Sequence, residues 1–252
     1  MLIAGLASIT FRKLSTEEII VLATDAGLSQ IEWGADVHVM PGDIKKASDT
    51  ALRCADSGII TSTYGSYFRI GRTPDEDIFA VLESASALGA KVVRIWGYDR
   101  FITPFDTDEW KSAVESAITV TKAAESYGIT LALECHIKTI TEAHENALSF
   151  LDYVSSDALR CYWQPNQYKD KEYNLSALRA LLPHLEAVHV FNWNKTERLS
   201  LIYAKDDWKD YVRVIKSGGY TDNVPMLLEF MPDGKAESLR GEAAALRQII
   251  AG

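Results

Sequence analysis

Four residues able to share one cation end four successive apolar stretches. They are Glu134 in ITLALECH (129–136), Gln164 in LRCYWQPN (159–166), His189 in LEAVHVFNW (185–193) and Glu229 in VPMLLEFM (224–231). Two carboxylates, one amide oxygen and one imidazole suit Mn²⁺, Mg²⁺ or Co²⁺ better than a thiolate-rich Zn²⁺ site does. Each stretch reads as a short β-strand, in which alternate side chains share a face. Thr130, Ala132, Glu134 and His136 then face one way, and Leu131, Leu133 and Cys135 the other. His189 opposes Val188 and Val190, Glu229 opposes Leu228 and Phe230, and Arg94 opposes Val93 and Ile95. That pattern fits a barrel wall, with an apolar outside under helices and chemistry at the C-terminal ends. In the competing reading, Glu134 and Glu229 only pair with Arg94 or another barrel cation. Four ligand-capable groups ending four successive strands favour the ion.

The elements around these residues alternate regularly. Ser15–Glu18 is a capping-box pattern that opens a helix ending at Gly27, and Thr73-Pro74-Asp75-Glu76 reads as a second capping box. Helix-ending glycines at 27, 58 and 89 recur every 31 residues, the length of a βα unit. Further helices are expected over 108–127, 142–155, 175–185, 208–216 and 236–251, each preceded by a strand. Eight strand–helix pairs predict a (β/α)8 TIM barrel in one domain, 1–252. The rival doubly wound sheet usually carries a Gly-rich turn after strand one, where this chain has TFRKLST.

Composition bounds the function. With 252 residues, 47% hydrophobic and 24% charged, the chain can bury a full barrel core. A net charge of −9 without a basic run argues against nucleic acid as partner. Cys54, Cys135 and Cys161 form no CxxC and read as thiols of a reducing compartment. The apolar MLIAGLASITF lacks a basic region and is too short to span a bilayer, so it reads as strand one of a cytoplasmic protein with no membrane partner.

Other strand ends offer binding groups. Glu32, Trp33 and His38 follow strand two, Tyr64, Ser66 and Arg69 strand three, and Arg94 and Trp96 strand four. His136, Asn166, Phe191 and Trp193 complete the set. Trp33, Tyr64, Trp96, Phe191 and Trp193 offer flat apolar faces for the C–H side of a ring. Trp163 reads instead as packing between strand and helix. Arg69 and Arg94 could bind a carboxylate or phosphate bidentately, and Arg94 could instead neutralise Glu32 or Glu134. No Gly-rich phosphate loop follows NWNKTERLS.

LALECH, YWQPN, VHVFNW and LLEF, in this order, resemble the sugar phosphate isomerase/epimerase family with the xylose isomerase-like barrel. IEWGADVHV, STYGSYFR and VVRIWG resemble one branch of it. The resemblance implies one divalent metal ion held by Glu134, Gln164, His189 and Glu229. Mn²⁺ is the first expectation, with Mg²⁺, Co²⁺ or Zn²⁺ as alternatives. Gln164 stands where the family has Asp, which leaves weaker binding or a three-residue ligand set open. Gln167 stands where many relatives have a substrate-contacting His. Glu134 and Glu229 become the acid/base pair, and His136 orients the substrate or shuttles a proton. Trp33, His38, Tyr64, Arg69, Arg94, Trp96, His136, Asn166 and Trp193 become the substrate-binding set.

The implied activity is isomerisation or epimerisation of a ketose, keto-sugar or related polyol through an enediolate, with an unphosphorylated substrate favoured. A lyase using the same proton abstraction is the alternative, either inosose dehydratase-like or cleaving a 3-keto-glycoside. An endonuclease IV-like nuclease needs more metal ligands than the five histidines offer. A non-catalytic sugar-binding barrel is the remaining reading. Relatives are often dimers or tetramers, which leaves a homo-oligomer open.

Overall fold

The computed structural model describes residues 1–220 and 223–252. Its eight parallel strands are β1 (Leu2–Ala7), β2 (Gln30–Gly34), β3 (Ile60–Ile70), β4 (Val92–Gly97), β5 (Thr130–Glu134), β6 (Leu159–Trp163), β7 (Leu185–Val190) and β8 (Val224–Leu228). They pair in chain order, and β8 closes on β1 to complete a barrel. The helices outside it are α1 (Thr16–Asp25), α2 (Ile44–Asp56), α3 (Ile78–Leu88), α4 (Thr107–Ser126), α5 (His144–Val154), α6 (Lys171–Leu181), α7 (Lys205–Lys216) and α8 (Leu239–Ala251). The chain therefore has the expected (β/α)8 architecture. No helix among the described residues is long and apolar enough to cross a membrane.

Local chemistry sets several helix ends. The Ser15 hydroxyl accepts from the Glu18 amide while the Glu18 carboxylate accepts from the Ser15 amide at 2.7 Å, a complete capping box. Asp43 and Asp170 cap α2 and α6 by accepting from Lys46 and Tyr173 amides. Gly27, Gly58 and Gly89 all adopt left-handed backbone (φ +69°, +68° and +76°), which stops a helix at no steric cost.

Several boundaries differ from expectation: α7 starts at Lys205 rather than 208, and a 3₁₀ turn (Ala236–Ser238) precedes α8. Thr73 caps nothing, because its hydroxyl accepts from the Arg69 amide at 3.0 Å. A 3₁₀ turn (Asp75–Asp77) follows, and α3 starts only at Ile78. The helix expected over 175–185 runs Lys171–Leu181 instead: Asp170 starts it early, and Pro183 turns its end into a 3₁₀ turn.

The main core lies between barrel and helices. Trp163 belongs to it, edge-on to Trp208 and Tyr211 of α7, as strand alternation predicts. A second, smaller cluster of Ala132, Tyr162, Ala187 and Leu227 fills the barrel interior. Gly5 makes room for it. A Cβ there would stand 2.6 Å from Leu227 Cδ2 and 2.8 Å from the Gln30 carbonyl oxygen, which is backbone and cannot swing away. Gly5→Ala is therefore expected to cost about 1–3 kcal/mol of unfolding free energy. Denaturant titration of the variant beside the wild type checks this.

Candidate metal centre

The inward positions of successive strands put six polar side chains at the C-terminal end of the barrel. They are Glu32 of β2, Arg94 of β4, Glu134 of β5, Gln164 just beyond β6, His189 of β7 and Glu229 just beyond β8. All six are buried, and His189 and Arg94 almost wholly so. Glu134, His189 and Glu229 each offer a ligand atom within 4.8 Å of the others. His189 Nδ1 lies 3.7 Å from Glu134 Oε1, 3.7 Å from Glu229 Oε2 and 3.3 Å from Gln164 Oε1. The backbone holds Glu229 there: its amide donates to the Val190 carbonyl at 3.0 Å, and the next residue, Phe230, turns into left-handed backbone (φ +55°).

Burial makes the charge balance of this cluster costly. Arg94 donates to the Glu134 carboxylate, and its Nε lies 4.0 Å from Glu32 Oε1. Three carboxylates against one guanidinium leave two negative charges in a space nearly closed to water. Protons answer part of that deficit in the cluster alone. Burial pulls His189 down, but Glu229 and Glu32, with the bond to Glu134, outweigh it and push His189 up to about 10. Burial also raises Glu229, with Glu134 adding to the effect against the pull of His189. Glu134 moves the other way: burial would raise it, but Arg94 and His189 hold it well below the usual carboxylate range. Glu32 is lowered against its own burial by His189 and then Arg94.

A divalent cation fits these residues. It would supply the two missing charges, and the sulfur-free donor set of two carboxylates, one imidazole and one amide oxygen suits Mn²⁺, Mg²⁺, Co²⁺ or Zn²⁺.

The rim above the cluster is aromatic and cationic. Arg69 lies over the Trp96 ring at 4.0 Å and donates to the Tyr98 carbonyl at 3.0 Å. His136 stacks on Trp96 with centroids 4.6 Å apart, and Tyr67 tilts against the same indole. Beyond β7 and β8, Trp193 packs on Phe191 (4.8 Å) and Phe230 (5.4 Å), and Arg198 lies over Trp193 and Phe230. Asn166 lines the neighbouring cavity, but its Oδ1 accepts from the Tyr168 amide at 2.9 Å and so serves the turn.

Three residues expected to bind substrate do not reach this space. Trp33 is fully buried on the outer side of β2, against Cys54 of α2 and edge-on to His38. Tyr64, its partner across the β2–β3 register, also faces outward and donates to the Val39 carbonyl at 2.7 Å. His38 is buried with Nδ1 2.9 Å from Ser8 Oγ. Alternation is the reason: Glu32 points inward, so its neighbour Trp33 cannot. Glu32 and Thr63 occupy the inward positions, and Tyr67 and Arg198 join the rim. The sequence signal for Glu32 was the same period-two rule that placed Glu134.

The barrel and this cluster define the class, and the sequence agrees. The chain belongs to the xylose isomerase-like TIM barrel family, whose profile matches residues 20–249. Among solved structures it is similar to the probable 3-DHS dehydratase AsbF, involved in petrobactin synthesis, from Bacillus anthracis. The TM-score is 0.80 at 16% identity, over 98% of this chain and 99% of that one. It is also similar to the IolI protein with a bound zinc atom, with TM-score 0.76, 17% identity, and 99% and 98% of the two chains covered. An L-ribulose 3-epimerase gives a TM-score of 0.71 at 18% identity, over 97% of this chain and 86% of that one. A comparison with curated proteins finds no match.

The charge balance has a pH signature in the metal-free protein. The folded chain keeps the His189 proton between its ordinary value of 6.5 and about 10, where the unfolded chain gives it up. Its stabilising contribution is therefore complete below about 6.5 and lost as pH rises through about 10. The raised Glu229 acts with the same sign. Chelator-treated protein is expected to melt at steadily lower temperature from pH 7 to pH 10, read by thermal scans at fixed ionic strength. A flat profile over that window would contradict the protonated cluster.

Proposed function

We propose that this barrel is a divalent-metal-dependent enzyme that moves a proton next to a carbonyl. It would isomerise or epimerise a ketose, keto-sugar or related polyol through an enediolate. The observation that carries this reading is the convergence of Glu134, His189 and Glu229 at the C-terminal end of the barrel, with Gln164 beside them. These four residues would hold the ion, with Mn²⁺ first and Mg²⁺, Co²⁺ or Zn²⁺ as alternatives. Bound there, a divalent ion supplies Lewis acidity for a carbonyl and its neighbouring hydroxyl.

The chain's own groups supply the rest. Glu134 and Glu229 are the acid/base pair, because their carboxylates face one space. Arg94 keeps Glu134 ionised and so able to accept a proton. Trp96 and Trp193 have their ring faces covered by Arg69 and His136 and by Phe191, Phe230 and Arg198, so they would border a sugar with their ring edges, and Arg69 and His136 would donate hydrogen bonds to its hydroxyls. Burial of the acid/base pair excludes bulk water from the proton being moved.

The test starts with elemental analysis of protein purified without chelator, beside Glu229→Gln. About one Mn, Mg, Co or Zn per chain is expected, and its loss in the variant. Incubation with ketoses and keto-glycosides in deuterated water should then place deuterium on carbon. Uptake with the carbon skeleton and substituents intact identifies an isomerase or epimerase, whereas release of water or an aglycone identifies a lyase. Absence of metal in both proteins, even after added Mn²⁺, would overturn both.

A further inference from the structure

The two ring nitrogens of His189 face different groups. Nδ1 faces Gln164, Glu134 and Glu229. Nε2 faces Glu32 Oε1 at 3.3 Å, across the barrel interior from β2. An imidazole offers a lone pair at one nitrogen only when its proton sits on the other. A carboxylate hydrogen-bonded to that proton fixes both the tautomer and the ring plane.

Both carboxylate oxygens of Glu32 have partners. Thr63 Oγ1 donates to its Oε2 at 2.9 Å, and the Tyr162 hydroxyl lies 3.4 Å from the same Thr63 oxygen. The Tyr162 ring lies 4.5 Å from the His189 ring and limits its tilt. A Cβ at position 65 would stand 2.8 Å from Glu32 Oε1 and 3.1 Å from Arg94 Nη2, so Gly65 leaves the space both side chains use. A carboxylate serving only as counter-charge to Arg94 would need none of this aim at Nε2.

We propose that Glu32 is a positioning residue: its carboxylate accepts the Nε2 proton of His189 and so turns Nδ1 toward Glu134, Gln164 and Glu229. The consequence for ion affinity rests on the function proposed above, whereas the Glu32–His189 hydrogen bond does not. In Glu32→Gln the side chain keeps its size but loses the charge that holds the proton. Mn²⁺ and Zn²⁺ affinity, measured by competition with a chromophoric chelator, is expected to fall about 10- to 100-fold.

The second readout is ¹H–¹⁵N NMR of ¹⁵N-histidine protein. Only five histidines are present, so one His189→Gln variant assigns the ring. In the wild type a downfield, slowly exchanging Nε2 proton is expected both with and without Zn²⁺. It should shift upfield or exchange away in Glu32→Gln. Folded Glu32→Gln with unchanged metal affinity would overturn the proposal. So would an Nε2 proton insensitive to the substitution, or one that Zn²⁺ displaces. Should the wild type bind no ion at all, the functional reading fails, and the NMR comparison alone decides the Glu32–His189 pair.

Discussion

The Arg94–Glu134 ion pair is the interaction on which the centre of this barrel depends. Both groups are buried, and Glu32 lies on the other side of the same guanidinium. An unpaired carboxylate in such a place costs several kcal/mol after relaxation. Without Arg94, Glu32 and Glu134 would share only His189, and the favourable way out would be to take up protons. With Arg94, Glu134 stays ionised, and the remaining deficit is concentrated on the side where His189 and Glu229 stand.

The packing below and around the pair follows from that demand. Small residues, Ala132 and Ala187, lie beneath the cluster, and Gly5 gives Leu227 its space. Gly65 does the same for Glu32 and Arg94. The aromatic rim covers the charges from above: Tyr67 lies 5.3 Å from the Arg94 guanidinium, and Trp96 carries Arg69 and His136. Cations on the rim rest on π-faces, which stabilises them without drawing the buried carboxylates outward.

Much of this was legible in the residues. The alternation of eight strand–helix pairs and the period-two pattern around Glu134, His189 and Glu229 rest on local physics, and the barrel has that architecture. Trp33 and Tyr64 show where local reading stops. An indole at a strand end looks like a pocket wall, yet Glu32 beside it takes the inward position because Arg94 and His189 balance its charge. The β2–β3 register then sends Tyr64 outward with Trp33, and no single strand reveals a register. Phe230 is a second case. Strand alternation put it opposite Glu229, but its left-handed backbone brings the ring onto Trp193. Contacts such as Arg198 over Phe230 join residues far apart in the chain and have no local signature.

A centre short of two positive charges should exchange protons for a divalent ion. Calorimetric titration of the chelator-treated protein with Mn²⁺ at pH 7, in two buffers of different ionisation enthalpy, counts those protons directly. One ion per chain is expected, with about one proton released, that of His189. Binding with no proton release, or no binding at all, would contradict a cluster built around those two missing charges.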